Sequence, residues 1–492
     1  MEQKNTSLSN KGHILKKAFN SFFSCPLSKK KKSKTLKSQC SKLLDQLDSD
    51  RVVSADIYFP TLKQFIFEDN IFLKNLGLSC LLKLLEFNYL GISSVHFSTK
   101  LVNEEVSAEK VSHLLDERSL SANNISTQLY QDKKFNNHSF SSSDLPSYSA
   151  GLDYCQKNEY SISNKLYGSD SSNCINKEED NIEVKDFMSA ILPCFTDTAL
   201  SEETRLLILK IVLAAVNSKK CHIHSDHLIS FFSGCVELYL RSSSFCGKLS
   251  AEATLKQLLF VLLERINAAS STGITGEEEA APDEEEHNHV DDIDHLRSCF
   301  ENIFQVDGYL IFQYLCELSI VNVQDNSEKN TTLTKRTLAL ELLLIILKNA
   351  GAAFLRHKHF IDGTKRLLCV SLSRNVISSS SRLIELSLAL FLVLLKWFKS
   401  SLKAQIEILF KNVLLLLLES STSSLNHKMD VLQAIWYIVS DAQTLQDIFI
   451  NYDCDISMDN LFTHLIDDLS KIANSGSTNI KGSNLLKLQL QC

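Results

Sequence analysis

The sequence predicts an all-α protein: an armadillo- or HEAT-like α-solenoid of antiparallel helix pairs, broken by disordered insertions. Three observations carry that reading. Proline and glycine number only 5 and 14 in 492 residues, whereas strand- and turn-rich folds need both as punctuation. Hydrophobic residues make up 44% of the chain, enough for an extended core. Apolar residues recur at helical spacing in long blocks, many ending in a polar or glycine-containing break. No strict sequence period exists, so the repetition is expected in structure rather than in sequence.

Taken in order, the first block holds Ile14, Leu15, Ala18, Phe19, Phe22 and Phe23 at helical spacing, then lysines at 29–32, 34 and 37, with no acidic residue between Glu2 and Asp45. Such a stretch can be a membrane-surface helix with a polybasic flank, a nuclear address, or a first core helix. The core helix is favoured, because the stripe has the ordinary core-facing form. Residues 54–91 read as two helices, with Pro60 in a first turn and Gly91 as terminator. Residues 101–180 carry 25 Ser or Asn and no sustained period, the composition of a disordered insertion. Residues 183–267 return to helices, with Ser201 ahead of Glu202 and Glu203 at a positive helix end. Ten carboxylates crowd into residues 277–294, which should keep that linker extended. The longest helical block is 298–473, and helices as apolar as "RLIELSLALFLVLLKWF" must be covered on most sides.

Composition also removes several function classes. A net charge of −7 disfavours nucleic acid as the main partner. Fourteen cysteines without a C-x-x-C pair, several inside apolar runs (Cys80, Cys316, Cys369), suggest reduced, buried thiols. The longest apolar run, residues 388–395, is far short of the roughly 18 residues a spanning helix needs. No phosphate-binding glycine loop, dinucleotide fingerprint, nucleophile elbow or H-E-x-x-H helix occurs. No catalytic residue, cofactor or metal is therefore expected.

Two polar clusters merit weighing. "CHIHSDH" offers Cys221, His222, His224, Asp226 and His227. Zinc sites usually join two separate ligand pairs, and here all candidates fall within seven residues. A connecting loop in which Ser225 or Asp226 caps the next helix is the simpler reading. His287, His289 and His295 sit in the acidic linker and read as solvated. The second cluster, "NYDCD", comprises Asn451, Tyr452, Asp453, Cys454 and Asp455. Asn451 and Asp453 can satisfy open helix ends, Asp455 or Ser457 can cap the next helix, and Tyr452 offers a ring with a hydroxyl. Cys454 has no His or Lys beside it in sequence to activate it, so a structural turn presenting a surface is expected rather than a catalytic centre.

These residues carry a resemblance. "FINYDCDISMDNLFTHLIDDLSKIA" resembles the HUS (homology upstream) box of the large Arf guanine-nucleotide exchange factors, nearest the brefeldin A-inhibited, trans-Golgi class. "DGYLIFQYLCELS" and "FLRHKHFIDGTKRLLCVSLSRN" resemble the rest of that HUS domain. "ADIYFPTLKQF", "LLILKIVLAAVNSKKCHIH" and "AEATLKQLLFVLLERI" resemble the DCB (dimerisation and cyclophilin-binding) domain before it. The resemblance implies that residues 1–100 and 183–267 form the two parts of a DCB domain and 298–474 a HUS domain. Left outside are the insertion 101–182, the acidic linker 268–297 and a tail, 475–492. It further implies a regulatory scaffold in Golgi and endosomal vesicle traffic, peripheral on those membranes. Its implied partners are a second copy, small GTPases of the Arf, Arl or Rab type, and the exchange domain of a parent protein. Asn451–Asp455 would be a protein-interaction site. No segment here resembles the exchange domain itself, so this chain alone is expected not to catalyse exchange. A Golgi scaffold of the Mon-two-like kind, or a fragment of an active exchange enzyme, are the alternatives.

Overall fold

Helix follows helix wherever the sequence is apolar at the α period. The computed structural model describes residues 2–26, 34–49, 53–93, 181–270, 293–321, 329–378, 380–419 and 423–479. The Ser/Asn-rich stretch from 101 to 180, the carboxylate-rich run up to Asp292 and residues 480–492 lie outside them. Eighteen helices occur among the described residues, and the fold is an all-α, solenoid-like stack.

The first four are α1 (Glu2–Ser24), α2 (Lys34–Asp48), α3 (Ala55–Phe67) and α4 (Ile71–Glu86). Leu15, Phe19 and Phe22 of α1 are completely buried, and the Phe22 and Phe65 rings lie 5.4 Å apart. The N-terminal stripe is thus a core face, packed on α3 and α4. Pro60 lies inside α3 rather than in its first turn, because the helix already starts at Ala55 with Asp56 in the first turn. Asn70 caps α4, accepting from the N–H groups of Phe72 and Leu73.

Gly91 does not end α4. That role falls to Asn88, whose φ of 54° turns the chain so that Tyr89 N–H donates back to Leu84 O, the left-handed terminus asparagine tolerates. Gly91 instead opens β1 (Gly91–Ser93), which pairs in parallel with β2 (Asn181–Glu183). A Cβ at Gly91 would fall 1.9 Å from Asn181 Oδ1 and 3.3 Å from Lys220 O, so a larger residue here would have to push the Asn181 side chain aside.

Next come α5 (Val184–Thr196), α6 (Glu202–Asn217), α7 (Asp226–Arg241) and α8 (Phe245–Ser270). Ser201 caps α6 as its position suggested, accepting from Thr204 N–H. α6 packs on α4 and α8, and α7 packs on α5 and α8.

The second half begins with α9 (Ile293–Cys299), α10 (Ile303–Ser319), α11 (Lys329–Lys348) and α12 (Ala352–Arg356). α13 runs Lys358–Gly363, passes through a π-helical turn at Thr364–Leu368, and finishes as Cys369–Val376. α14 (Ser381–Trp397) packs on α11, α13 and α16 (Leu425–Ser440). α15 runs Lys403–Leu409, a π turn at Phe410–Leu415, then Leu416–Glu419. α17 runs Ala442–Ile448 into a third π turn, Phe449–Asp453, and α18 is Leu461–Asn479.

One buried hydrophobic cluster extends without a break from Leu15 to Leu465. No described helix is long and apolar enough to cross a membrane. The described cysteines form no disulfide. Burial pushes the thiols of Cys40, Cys80 and Cys235 up to about 12, so they behave as small core hydrophobes.

Candidate functional site

The "NYDCD" turn is built on a π turn. Cys454 N–H reaches back five residues to Phe449 O at 3.1 Å, and the extra residue in the turn re-aims the side chains after Ile448. Each of the five residues then has a distinct place. Asn451 is exposed and its Nδ2 donates to Asp447 O at 2.7 Å, closing the end of its own helix. Tyr452 is buried, and its hydroxyl donates to Lys403 O at 3.1 Å. Burial, with Glu407 nearby, raises the Tyr452 pKa, which keeps that hydroxyl a donor.

Asp453 closes the turn. Its Oδ2 accepts from Phe462 N–H at 2.8 Å, and its Oδ1 accepts from Thr463 N–H at 3.0 Å and Thr463 Oγ1 at 2.9 Å. It therefore caps α18 from nine residues upstream, satisfying first-turn donors and facing the positive end of the helix. The local cap expected at Asp455 or Ser457 does not form. Asp455 pairs with Lys403 and accepts from Ser457 N–H and Oγ. Cys454 is exposed. Lys403, whose ammonium also lies 6.0 Å from the Tyr452 ring centre, is committed to Asp455. The arrangement assembles a joint between α15, α17 and α18.

Sequence reasoning missed the other half of this joint. Lys399, Lys403 and Lys411 lie on and just before α15, and pair with Asp447, Asp455 and Asp459 in that order. Glu407, between them, accepts from Asp459 N–H at 2.7 Å. The hydrogen bonds to the three lysines hold all three aspartates below the usual carboxylate range. The signal was present as charges four apart at 399, 403, 407 and 411, the last three on α15 and Lys399 in the turn before it. Their partners, some fifty residues on, could not be read from spacing. Around the joint, Phe449, Ile450, Ile456 and Ile466 remain exposed.

The histidine cluster resolves differently. His222 N–H donates to Ile92 O, extending the short sheet. His224 Nδ1 lies 2.7 Å from Asp307 Oδ2, and Ser225 N–H donates to Asp307 Oδ1 at 2.6 Å. Asp307 is 2% exposed and comes from α10. Ser225 heads α7 with φ 52° and ψ −125°, and its side chain makes no cap. The capping carboxylate is supplied across the boundary between the two halves. Among the described residues no His, Cys, Asp or Glu group converges as a metal site. Close packing supports the same boundary: a Cβ on Gly308 would lie 2.5 Å from Ile266 Cδ1.

Known proteins give these two halves their class. Residues 170–270 match the model of the Mon2/Sec7/BIG1-like dimerisation and cyclophilin-binding domain, and residues 304–461 match the Mon2/Sec7/BIG1-like HUS domain. The chain belongs to these proteins, carrying their DCB and HUS domains in tandem. Within that class it is similar to brefeldin A-inhibited guanine nucleotide-exchange protein 1 of Rattus norvegicus and of Homo sapiens. Each is 44% identical over 201 residues, covering 39% of this chain and 11% of the relative. The protein of that name from Arabidopsis thaliana is 28% identical over 316 residues, covering 55% of this chain and 18% of the relative. The chain thus spans a small fraction of these relatives' length. Asp307 and the Asn451–Asp455 turn both fall inside the HUS match.

Proposed function

We propose that this chain is the regulatory scaffold of an Arf guanine-nucleotide exchange factor in Golgi and endosomal vesicle transport. It works by binding. The DCB domain self-associates; the HUS domain and its 451–455 turn dock onto small GTPases of the Arf, Arl or Rab type or onto an exchange domain; and the whole is peripheral on Golgi membranes. The observation that carries this reading is the turn itself. A π turn, an inter-helix cap and three ion pairs fix its backbone, while Phe449, Ile450 and Ile456 stay uncovered. Rigidly held apolar side chains within a charged rim suit a protein-binding surface. The names of the relatives, which are exchange proteins, favour this reading over a Mon-two-like scaffold.

A nucleotide-release assay on an Arf GTPase, paired with a pull-down of a separately made exchange domain, tests it. The 492-residue chain should capture the exchange domain and leave nucleotide release at its intrinsic rate. Asn451→Ala and Asp453→Ala should weaken capture with helicity retained. Accelerated release by this chain alone, or capture unchanged in both variants, would remove the proposal.

A further inference from the structure

The longest of the described helices keeps one apolar face exposed. On α8, Phe245 is 79% exposed, Leu249 53% and Phe260 49%. At 100° per residue these three share one face with Ala253 and Lys256, along about 22 Å of helix. Ala253 is exposed too, and Lys256 pairs with Glu252 at 2.5 Å on the edge of the same stripe. Single exposed apolar residues are ordinary, but an ordered row on a rigid helix is not. The opposite face of α8 is occupied: Leu255, Leu258, Leu259 and Ile266 are buried in the common core.

The stripe is complementary to itself. Consider a second α8 laid antiparallel, with a two-fold axis passing between Glu252 and Ala253. Phe245 then meets Phe260 of the second copy at both ends of the contact. Leu249 meets the aliphatic stem of Lys256, which lines apolar surface well. Ala253, the smallest residue of the row, lies at the axis where the backbones approach most closely. Glu252 stands diagonally across from Lys256 of the second copy, so the ion pair can be exchanged between chains with charges of opposite sign opposed. A two-fold contact requires this self-matching, since one patch must serve as both surfaces. We infer that the 245–260 face of α8 is the homodimer interface of this protein, two copies packing α8 antiparallel across it. The inference rests on the self-association reading above and adds its location.

Sedimentation equilibrium of the full 492-residue chain over a range of concentrations tests both. The wild type should dimerise, and Phe260→Glu should weaken the dimer by about thirtyfold or more, as loss of a buried aromatic anchor does. Glu252→Lys should weaken it through like charges across the axis, and Glu252→Lys combined with Lys256→Glu should recover most of the loss. A dimer indifferent to Phe245→Glu and Phe260→Glu would place self-association on another face and overturn this inference alone. A wild type that stays monomeric would overturn the self-association reading as well, and leave the stripe to some other occupant. Cross-linking guards against variants that misfold. With the exposed Cys246 and Cys454 changed to serine, Ala253→Cys should form a 253-to-253 link with a short bis-maleimide. Absence of that link overturns the inference.

Discussion

Two aspartates in this molecule do the same chemical job in different surroundings. Asp307 caps α7 from another domain, and Asp453 caps α18 from an earlier turn. Asp307 accepts one backbone N–H at the head of its helix, that of Ser225, and Asp453 accepts two, those of Phe462 and Thr463. Asp307 is sealed in the DCB–HUS boundary, with His224 as its second partner and Gly308 pressed on Ile266 beside it. Asp453 is half-exposed, within a charged rim and beside uncovered isoleucines. The contrast separates roles. A buried cap fixes two domains as one body, whereas a cap at the surface fixes the shape of something another molecule can touch.

Removing Asp307 gives the largest expected effect. Asp307→Ala leaves the Ser225 N–H without its acceptor in a dry site and frees a strained backbone from its restraint, costing about 2–4 kcal/mol. Urea unfolding should show a lower midpoint, and Asp307→Asn, which keeps an acceptor, should lose less. Asp453→Ala removes a cap that water can partly replace, and should cost about 1 kcal/mol while reducing docking. Equal losses at the two sites would erase the distinction.

The lysine–aspartate pairs sharpen it further. The folded pKa values of Asp447, Asp455 and Asp459 lie below their unfolded values. Their contribution is therefore complete above the ordinary carboxylate pKa of about 4 and disappears as pH falls through the depressed folded values. Stability monitored by near-ultraviolet dichroism should be insensitive to these pairs from pH 5 to 8 and decline only in stronger acid. The effect should be small, because the groups face solvent. Thiol labelling gives the mildest test. Cys246 and Cys454 should react rapidly with a maleimide, and Cys80 and Cys235, buried and weakly acidic, should react only on unfolding.

Much of this was legible in the sequence. Scarce Gly and Pro with helix-period apolar residues lead directly to the all-α stack, and Ser201 to the start of α6. The polar turn at 451–455 was recognisable as a joint because Asn and Asp are residue types that close open helix ends. What stayed hidden was long-range pairing. Nothing near His224 announces Asp307, eighty-three residues away, and nothing near Asp453 shows that its cap skips the nearer Asp455. Those choices depend on where the backbone of another helix places its open N–H groups. The small sheet was missed for a similar reason: three residues at each of two distant positions give no periodicity, and Gly91 reads equally well as a helix stop.

That sheet has a consequence for how such a chain can change over evolutionary time. β1 and β2 lie side by side in parallel, Gly91 opposite Asn181 and Ser93 opposite Glu183, with both strands anchored in the core through Ile92 and Ile182. Once two ends are clamped, the cost of closing a flexible connection between them would grow only with the logarithm of its length, about 0.6 kcal/mol for each doubling. Length at this position is thus nearly neutral to folding. Lineages can expand, contract or rewrite the sequence between the two strands while the helices on either side keep their places, and an engineered tag inserted there should be tolerated for the same reason.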